Sequence, residues 1–264
     1  MKLVAGSYDN GSTVDNEDEI LNSFQIRSQA VYQKTRNECN IAYGNSPREV
    51  FDWLYSDKPG KGTLIFIHGG YWQFCRKDDF AFIAQVPLSL GFDVVLVEYT
   101  LAPEARLDDI CRQTGAALDA IQQRLSVCQP APVYLCGHSA GGHLASVWQH
   151  HPVVDATLPI SGIFELEPLL NTYVNRRLQL TKQQITQLSP VRHIPQRIKP
   201  MTLFYGANEL PELIGQSRHY YAALKEKSQP VTLVAVAGAN HYNVLDALFA
   251  WDGALTHLLT TTGK

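Results

Sequence analysis

The sequence predicts an α/β fold in which a mostly parallel sheet is covered by helices on both faces. From Gly62 onward, short apolar runs rich in β-branched residues alternate with longer amphipathic segments, which is typical of βαβ units. The chain has 264 residues, of which 45% are hydrophobic and 18% charged, so it can enclose a sizeable core. With 18 Gly and 14 Pro, its composition is that of a globular protein rather than a disordered or fibrous one.

Six apolar runs have the length of buried strands, and five segments between and after them have helical patterns. The predicted strands are 64–68, 94–99, 133–137, 157–161, 201–205 and 231–236. The predicted helices are 78–90, 108–126, 140–150, 211–227 and about 244–260. Asp78, Asp108 and Ser139 are interpreted as N-caps, because short polar side chains accept hydrogen bonds from the free N–H groups of a first helical turn.

Three segments fall outside this alternation. Residues 1–20 hold five acids and one base, which predicts a solvated, partly mobile arm. The apolar and aromatic alternation of residues 49–55 predicts an antiparallel strand at the edge of the sheet. Residues 164–198 interrupt the pattern and are long enough for two or three short helices, which we expect to form a cap. Because the strands on either side of this cap share one sheet pattern, we expect residues 1–264 to form a single domain.

Composition excludes several functions. The 22 Lys and Arg are scattered and outnumbered by 25 Asp and Glu, so the basic stripe of a nucleic-acid binder is missing. No apolar stretch approaches the roughly 18 residues of a membrane span, and the first apolar run is too short for a signal peptide. We therefore expect a cytoplasmic protein. The five cysteines form no CxxC pair and are interpreted as reduced thiols.

A G-x-S-x-G sequence follows the third predicted strand. Residues 137–141 read GHSAG and lead into a predicted helix. In such a nucleophile elbow, glycines at both ends avoid backbone collision and the serine hydroxyl is raised above the sheet. This context favours Ser139 as a nucleophile over an ordinary glycine-rich turn, and His138 is interpreted as filler within the turn.

A second glycine-rich turn ends the first predicted strand. Residues 68–72 read HGGYW, similar to the HGGG-type loops that supply oxyanion-hole amides. A tetrahedral intermediate needs hydrogen-bond donors where negative charge develops. The backbone amides of Gly70, Tyr71 and Ala140 are the predicted donors, and Gly69 with Gly70 lets the main chain approach a substrate. A plain strand-ending turn is the alternative for this segment.

A serine nucleophile also needs a base and an acid that orients it. His241 follows the last predicted strand, where the chain order Ser, acid, His places the base. The acid is expected after the strand at 201–205, and Glu209 is the predicted residue. Glu212 is the alternative, although the helix dipole already explains an acid at its position. The remaining histidines form no metal-ligand spacing, HExxH is absent, and neither a metal nor a cofactor is predicted.

Several of these motifs together resemble the kynurenine formamidases (arylformamidases), in the hormone-sensitive-lipase-like branch of the α/β-hydrolase superfamily. They are HGGYW at 68–72, YTLAPE at 99–104, GHSAGGH at 137–143, and the acid loop followed by Gln216 and Ser217. Three features narrow the resemblance to formamidases. They are the Tyr-Trp pair after HGG, NIAYG at 40–44 and the run at 211–217. The resemblance covers about residues 40–245 and implies an α/β-hydrolase fold whose triad is Ser139, Glu209 and His241. Glu209 departs from the family, which usually has Asp at that position.

The resemblance implies hydrolysis of N-formyl-L-kynurenine to L-kynurenine and formate, a step of tryptophan catabolism. Tyr71 and Trp72 are expected to bind the substrate beside a shallow acyl pocket, unless Trp72 simply packs under its loop. Arg176, Arg177 and Arg192 could meet a substrate carboxylate, although they are also explained as surface charges. A small acyl or formyl compound is the expected partner, and a homodimer is a further possibility.

Two other functions remain open on sequence grounds. The same serine, base and oxyanion hole would serve a broad small-substrate carboxylesterase. A noncatalytic ligand receptor on a hydrolase fold is a more remote alternative, because such proteins commonly lose a triad member and none is lost here.

Overall fold

The computed structural model describes residues 7–58, 60–126 and 131–261, which form an eight-stranded sheet. Its strands are β1 Asn37–Ala42, β2 Val50–Leu54, β3 Gly62–Ile67, β4 Phe92–Val97, β5 Val133–His138, β6 Ala156–Ile160, β7 Met201–Gly206 and β8 Val231–Val236. The spatial order is β1-β2-β4-β3-β5-β6-β7-β8. β2 runs antiparallel to β1 and β4, and the other neighbouring pairs are parallel. The predicted α/β class and the six predicted strands are confirmed.

Helices lie between most of the strands. The α-helices are α1 Glu17–Lys34, α2 Gln85–Leu90, α3 Leu107–Leu125, α4 Ala140–Val147, α5 Asn175–Leu178, α6 Lys182–Leu188, α7 Pro211–Glu226, α8 Val244–Phe249 and α9 Ala254–Thr261. Short 3-10 helices occupy Gly11–Thr13, Lys77–Ala84, Glu167–Asn171 and Pro190–Arg192. None of the helices within the described ranges is long and apolar enough to cross a membrane.

The sheet is buried on both faces, because successive side chains of a strand point in opposite directions. Along β3, Ile65 and Ile67 belong to an apolar cluster that includes residues of α3 and α4. Leu64 and Phe66 belong to a second cluster, with residues of α1, α8 and α9. This two-sided burial explains why β3 to β5 read as continuous apolar runs rather than as alternating ones.

Several predicted boundaries are wrong. The antiparallel strand at 49–55 forms as β2 but is not the edge of the sheet, because the mostly exposed β1 lies outside it. The helix predicted at 78–90 begins as a 3-10 helix, and the one at about 244–260 is broken into α8 and α9. Asp78 and Asp108 are not N-caps but lie inside the first turns, where the helix dipole favours acids. Ser139 takes the N-cap position of α4 without a side-chain capping bond.

The prediction of a solvated arm over residues 1–20 is wrong for its first described residues. Ser7, Tyr8 and Asn10 are buried, and Tyr8 is part of the cluster that contains α3. The Tyr8 hydroxyl accepts a hydrogen bond from Gln216 Nε2 at 2.9 Å. The acidic composition does not predict this anchoring, because the free energy gained by burying one tyrosine side chain can hold the segment in place while the neighbouring acids stay solvated.

The cap segment, residues 164–198, carries two of the 3-10 helices together with α5 and α6. Its apolar side chains Leu166, Leu169, Val174 and Leu178 are buried in the cluster that contains α3. Gln216 on α7 fixes its first residues, since Gln216 Oε1 accepts hydrogen bonds from the backbone N–H groups of residues 164 and 165.

The structure holds four cysteines as free thiols, as predicted. They are Cys39, Cys75, Cys111 and Cys136. Cys128 lies outside the described residues.

Candidate active site

The GHSAG turn connects β5 to α4 and holds Ser139 in a left-handed conformation, with φ 56° and ψ −118°. A Cβ on Gly137 would lie 2.2 Å from the carbonyl oxygen of Gly141, and one on Gly141 would lie 2.0 Å from that of Ile67. Both positions therefore require glycine. The backbone N–H of Ser139 donates to the carbonyl of Ile160 at 2.8 Å, which ties the strained turn to β6.

His241 and Glu209 are brought into contact from the loops after β8 and β7. His241 Nδ1 lies 3.3 Å from Glu209 Oε2, and both residues are buried. Because a carboxylate only accepts hydrogen bonds, Nδ1 is the donor of this pair, and in the neutral tautomer that makes this bond Nε2 is the acceptor. Glu212 points elsewhere, as its carboxylate accepts from the Ser7 hydroxyl at 3.1 Å. Of the two acids left open by the sequence, Glu209 is the one that meets the histidine.

Two further donors fix the Glu209 carboxylate. Its Oε1 accepts from the backbone N–H of Gly206 at 2.8 Å and from the Ser161 hydroxyl. Ser161 follows β6 directly and has a left-handed φ of 51°, which turns its side chain toward the carboxylate. No sequence motif marks Ser161, and its position at the carboxyl end of a parallel strand is the one signal for this contact.

The HGGYW turn passes close over the nucleophile elbow. Gly70, Tyr71 and Trp72 have φ values of 96°, 50° and 58°, so three successive residues are left-handed. A Cβ on Gly69 would lie 3.1 Å from the Cβ of Ser139, so the loop leaves little room for a side chain at this position. Ala140 begins α4 next to Ser139, where backbone N–H groups have no intrahelical acceptor. The structure thus places the three predicted donors, Gly70, Tyr71 and Ala140, together with Gly69, on the two turns that meet at Ser139.

A buried ionic network supports the HGGYW turn from below. His68 Nε2 lies 2.9 Å from Glu98 Oε1 and His68 Nδ1 lies 2.8 Å from the carbonyl oxygen of Gly69. Both oxygens are acceptors, so the imidazole ring is held between two groups to which its N–H can donate. The Tyr99 hydroxyl donates to the carbonyl of His68 at 3.0 Å. Burial alone raises the pKa of Glu98, but His68 and Arg48 beside it lower that pKa to about 2.

Tyr71 and Trp72 have different surroundings. The Tyr71 hydroxyl donates to the carbonyl of Tyr8 at 2.6 Å, and its ring lies on a cavity shared with Ser139. Trp72 is fully buried, and its ring meets His143 edge to face with centroids 5.1 Å apart. Trp72 does not line the cavity, so the prediction that it contacts substrate is wrong and packing under the loop explains it.

The cavity above the elbow has a volume of about 560 Å³, within the usual range for a small-molecule site. Ser139, His138 and His241 line it, together with the first described residues and α1. Its aromatic wall consists of Phe24, Tyr71, Phe74, Phe80, Tyr173 and Tyr242. Two other depressions among the described residues reach about 650 and 670 Å³, but neither touches Ser139 or His241.

His138, interpreted from the sequence as filler within the turn, lines the cavity beside His241. Its ring lies on the cavity with its centroid 4.6 Å from that of the His241 ring. Burial, and then the nearby His241, lower the pKa of His138 well below 6.5, so a neutral imidazole packs against the candidate base. In the sequence, only the position of His138 directly before Ser139 indicates that it lies beside the candidate base.

The three cap arginines are not inside the cavity. Arg192 pairs with Glu165 and Glu167, and the Arg177 guanidinium lies 5.7 Å from the ring centroid of Phe74. None of these three arginines is among the described residues that line the cavity. Within the described ranges, no group of three His, Cys, Asp or Glu side chains could hold a metal ion.

The sheet order, the elbow and the histidine after the last strand define an α/β-hydrolase. A family model described as alpha/beta hydrolase fold matches residues 64–192. Relatives named kynurenine formamidase from Danio rerio and Salmo salar are 32% and 33% identical to this chain. Those alignments cover 85% and 83% of this chain and 81% and 80% of the relatives. The chain therefore belongs to the kynurenine formamidase family and is an amide or ester hydrolase, as the motifs predicted.

Solved structures support the same fold. A structure from Silicibacter sp. TM1040, provisionally assigned as a thioesterase, superposes with a TM-score of 0.89 at 25% identity. The superposition covers 97% of this chain and 98% of that one. A Pyrobaculum calidifontis esterase gives a TM-score of 0.74 at 17% identity, over 93% of this chain and 92% of its own. At that identity the likeness concerns the fold alone.

Proposed function

We propose that the protein hydrolyses N-formyl-L-kynurenine to L-kynurenine and formate, with Ser139, His241 and Glu209 as its triad. The observation that carries the proposal is the hydrogen bond between His241 Nδ1 and Glu209, made beside a cavity that His241 shares with Ser139. The choice of substrate is supported by the relatives named kynurenine formamidase.

The first half of the reaction forms a formyl-serine. Ser139 Oγ attacks the formyl carbon while His241 Nε2 takes the hydroxyl proton. The resulting oxyanion accepts hydrogen bonds from the backbone N–H groups of Gly70, Tyr71 and Ala140, and each such donor contributes about 2.7 to 4 kcal/mol. The C–N bond then breaks, and the His241 proton passes to the departing aniline nitrogen.

The second half returns the enzyme to its starting state. His241 Nε2 takes a proton from water, whose oxygen attacks the formyl-serine carbon. The C–O bond to Ser139 breaks, the proton returns to Oγ, and formate leaves. Glu209 stays ionised throughout and stabilises the imidazolium that forms in each half.

The aromatic wall of the cavity supports an aryl substrate. Phe74, Phe80, Tyr173 and Tyr242 present ring surface around the nucleophile, on which an aryl ketone can pack. No acyl group larger than formyl has to be placed between the HGGYW turn and the elbow, which lie so close that a Cβ added to Gly69 would be 3.1 Å from the Cβ of Ser139.

Turnover of N-formyl-L-kynurenine is measured by absorbance, with p-nitrophenyl acetate assayed in parallel. We expect kcat/KM for the formamide above roughly 10⁴ M⁻¹s⁻¹. Ser139→Ala should abolish turnover of both substrates with an unchanged urea midpoint. Ser146→Ala is the matched control, because Ser146 is a buried serine on α4 that does not line the cavity.

Two outcomes would contradict the proposal. Retained turnover in Ser139→Ala would refute the mechanism in which Ser139 is the nucleophile. A preference for the ester over the formamide by two orders of magnitude in kcat/KM would replace the formamidase by a broad carboxylesterase.

A further inference from the structure

One wall of the active-site cavity is built by the first described residues and by α1. Asp9, Asn10, Gly11 and Glu17 all line it. Asp79 contributes a third carboxylate, and none of the described residues that line the cavity is Lys or Arg. The cavity is therefore acidic, although nothing in the hydrolysis of a formamide requires carboxylates other than Glu209.

The carboxylates of Asp9 and Glu17 are not neutralised within the described ranges of the chain. Neither forms an ion pair with a described basic residue. Among the described residues, the Tyr242 hydroxyl is the one side chain that donates to the Glu17 carboxylate, and both acids are partly exposed. Burial first, and then Asp9 and Glu17, raise the pKa of Tyr173 to about 12, consistent with a negative potential at this wall.

Asn10 gives an independent indication of a ligand. The Tyr71 hydroxyl donates to the carbonyl of Tyr8, so it must accept from Asn10, and the amide nitrogen of Asn10 is the atom that faces it at 3.2 Å. This fixes the orientation of the amide and turns Oδ1 away from Tyr71. Asn10 is 6% exposed, and no described residue donates to its Oδ1. A buried acceptor left without a donor is unfavourable, so a ligand whose N–H donates to Oδ1 would be stabilised here.

Aromatic rings complete this wall. Tyr71 and Tyr173 meet edge to face with centroids 6.3 Å apart, and Tyr242 lies beside Glu17. Carboxylates, an amide oxygen and aromatic faces are together the groups that bind an organic ammonium ion. They would repel an anionic group at the same place.

We propose that Asp9, Asn10 and Glu17 form a subsite for a positively charged amino group of the substrate, away from the scissile bond. This inference rests on the proposed function, in which the amino group is the α-ammonium of N-formyl-L-kynurenine. The subsite makes the enzyme selective for formamides that carry an ammonium group over those that lack one. Its residues come from the segment that composition alone assigns to a solvated arm.

The test compares N-formyl-L-kynurenine with its deaminated analogue, 4-(2-formamidophenyl)-4-oxobutanoate. We expect Glu17→Gln to lower the ratio of the two kcat/KM values roughly tenfold, the size of one charge-assisted hydrogen bond. The loss should appear in KM for the amine, because the amino group is remote from the reacting carbon. The double variant D9N/E17Q should lower the ratio further, and Asn10→Ala, which removes no charge, should lower it severalfold.

Asp18→Asn is the matched control. Asp18 lies in the same turn of α1, is exposed and does not line the cavity, so the same change of charge should leave the ratio within twofold. A ratio that stays within twofold in both E17Q and D9N/E17Q would overturn the proposal. If the ratio of the two kcat/KM values falls equally in D18N, the effect comes from the general electrostatic field of the acidic segment and not from a subsite, which would also overturn the proposal.

Failure of the proposed function gives a different result. In that case the wild-type protein hydrolyses p-nitrophenyl acetate but not N-formyl-L-kynurenine. The subsite is then tested by inhibition of the ester reaction with L-kynurenine and with its deaminated analogue. Inhibition roughly tenfold tighter by the amine, lost in E17Q, would support the subsite, and equal inhibition by the two compounds would overturn it.

Discussion

Replacing Glu98 by glutamine removes the negative charge from the pair that supports the HGGYW turn. Glu98 is 3% exposed and accepts hydrogen bonds from His68, from Arg48 and from the backbone N–H of Tyr99. A glutamine side chain at this position has nearly the same shape but leaves the Arg48 guanidinium and the buried His68 ring without their carboxylate partner. Breaking a buried ion pair in this way is strongly destabilising.

The size of the effect follows from the pKa of Glu98. That pKa falls from 4.5 to about 2 on folding, and at about 1.36 kcal/mol per pH unit the difference corresponds to about 3 kcal/mol of stability. Because the folded-state pKa is depressed, this contribution is complete above pH 4.5 and is lost as the pH falls toward 2. At pH 3 about half of it, roughly 1.5 kcal/mol, is left.

Urea denaturation of wild type and Glu98→Gln at pH 7, 5, 4 and 3 measures this difference. We expect a gap of about 3 kcal/mol in the free energy of unfolding at pH 7 and 5, shrinking to about half at pH 3. Glu226→Gln is the control, because Glu226 is exposed on α7 and should show no gap at any pH. A gap below 1 kcal/mol at pH 7, or one that does not change between pH 5 and 3, would refute the assignment of Glu98 as a buried carboxylate stabilised by His68 and Arg48.

Three further variants test other contacts. Ser161→Ala removes a donor to Glu209 and should lower kcat roughly tenfold with KM within twofold; unchanged kcat would show that the backbone donor alone holds the carboxylate. Gly141→Ala places a Cβ 2.0 Å from the carbonyl oxygen of Ile67, so we expect a loss of more than about 3 kcal/mol in urea denaturation or no folded protein. A wild-type urea midpoint would contradict this reading of the elbow. Gln216→Ala removes hydrogen bonds to the cap segment and to the first described residues, and should lower the free energy of unfolding by about 2 to 4 kcal/mol; a loss under 1 kcal/mol would show that these segments are held by packing instead.

The parts of the fold and site that sequence predicts are those whose cause is local. Buried parallel strands must be apolar on both faces, so they are visible as runs. The elbow requires glycine at positions 137 and 141 for a steric reason contained within five residues and one neighbouring strand. Ser139, Glu209 and His241 follow from chain order, because the carboxyl ends of parallel strands share one edge of the sheet. The elements and contacts are therefore predictable even where their exact boundaries are not.

What sequence does not predict depends on distant contacts. β1 has mostly exposed side chains and no apolar run, so only its pairing with β2 shows it to be a strand. Tyr8 and Asn10 lie among acids, and their burial depends on Gln216 and Tyr71, which are far away in the chain. An aromatic residue such as Trp72 fits a binding wall and a core equally well until its neighbours are known.

The His68–Glu98 pair explains how a strained turn can supply fixed amides. Tyr71 and Trp72 are both left-handed without being glycine, which costs on the order of 1 to 3 kcal/mol each. Such a conformation persists only where its surroundings over-determine it. Here the carbonyl oxygens of both residues that precede the strained run, at 68 and 69, share the single hydroxyl hydrogen of Tyr99, at 3.0 and 3.3 Å from its oxygen. Because the ion pair anchors the start of the turn and the Tyr71 hydroxyl anchors its other side on Tyr8, the amides are already oriented before any substrate binds. Loss of Glu98 should therefore reduce kcat as well as stability, since the hydrogen bonds to a developing oxyanion would then require reorganisation of the turn.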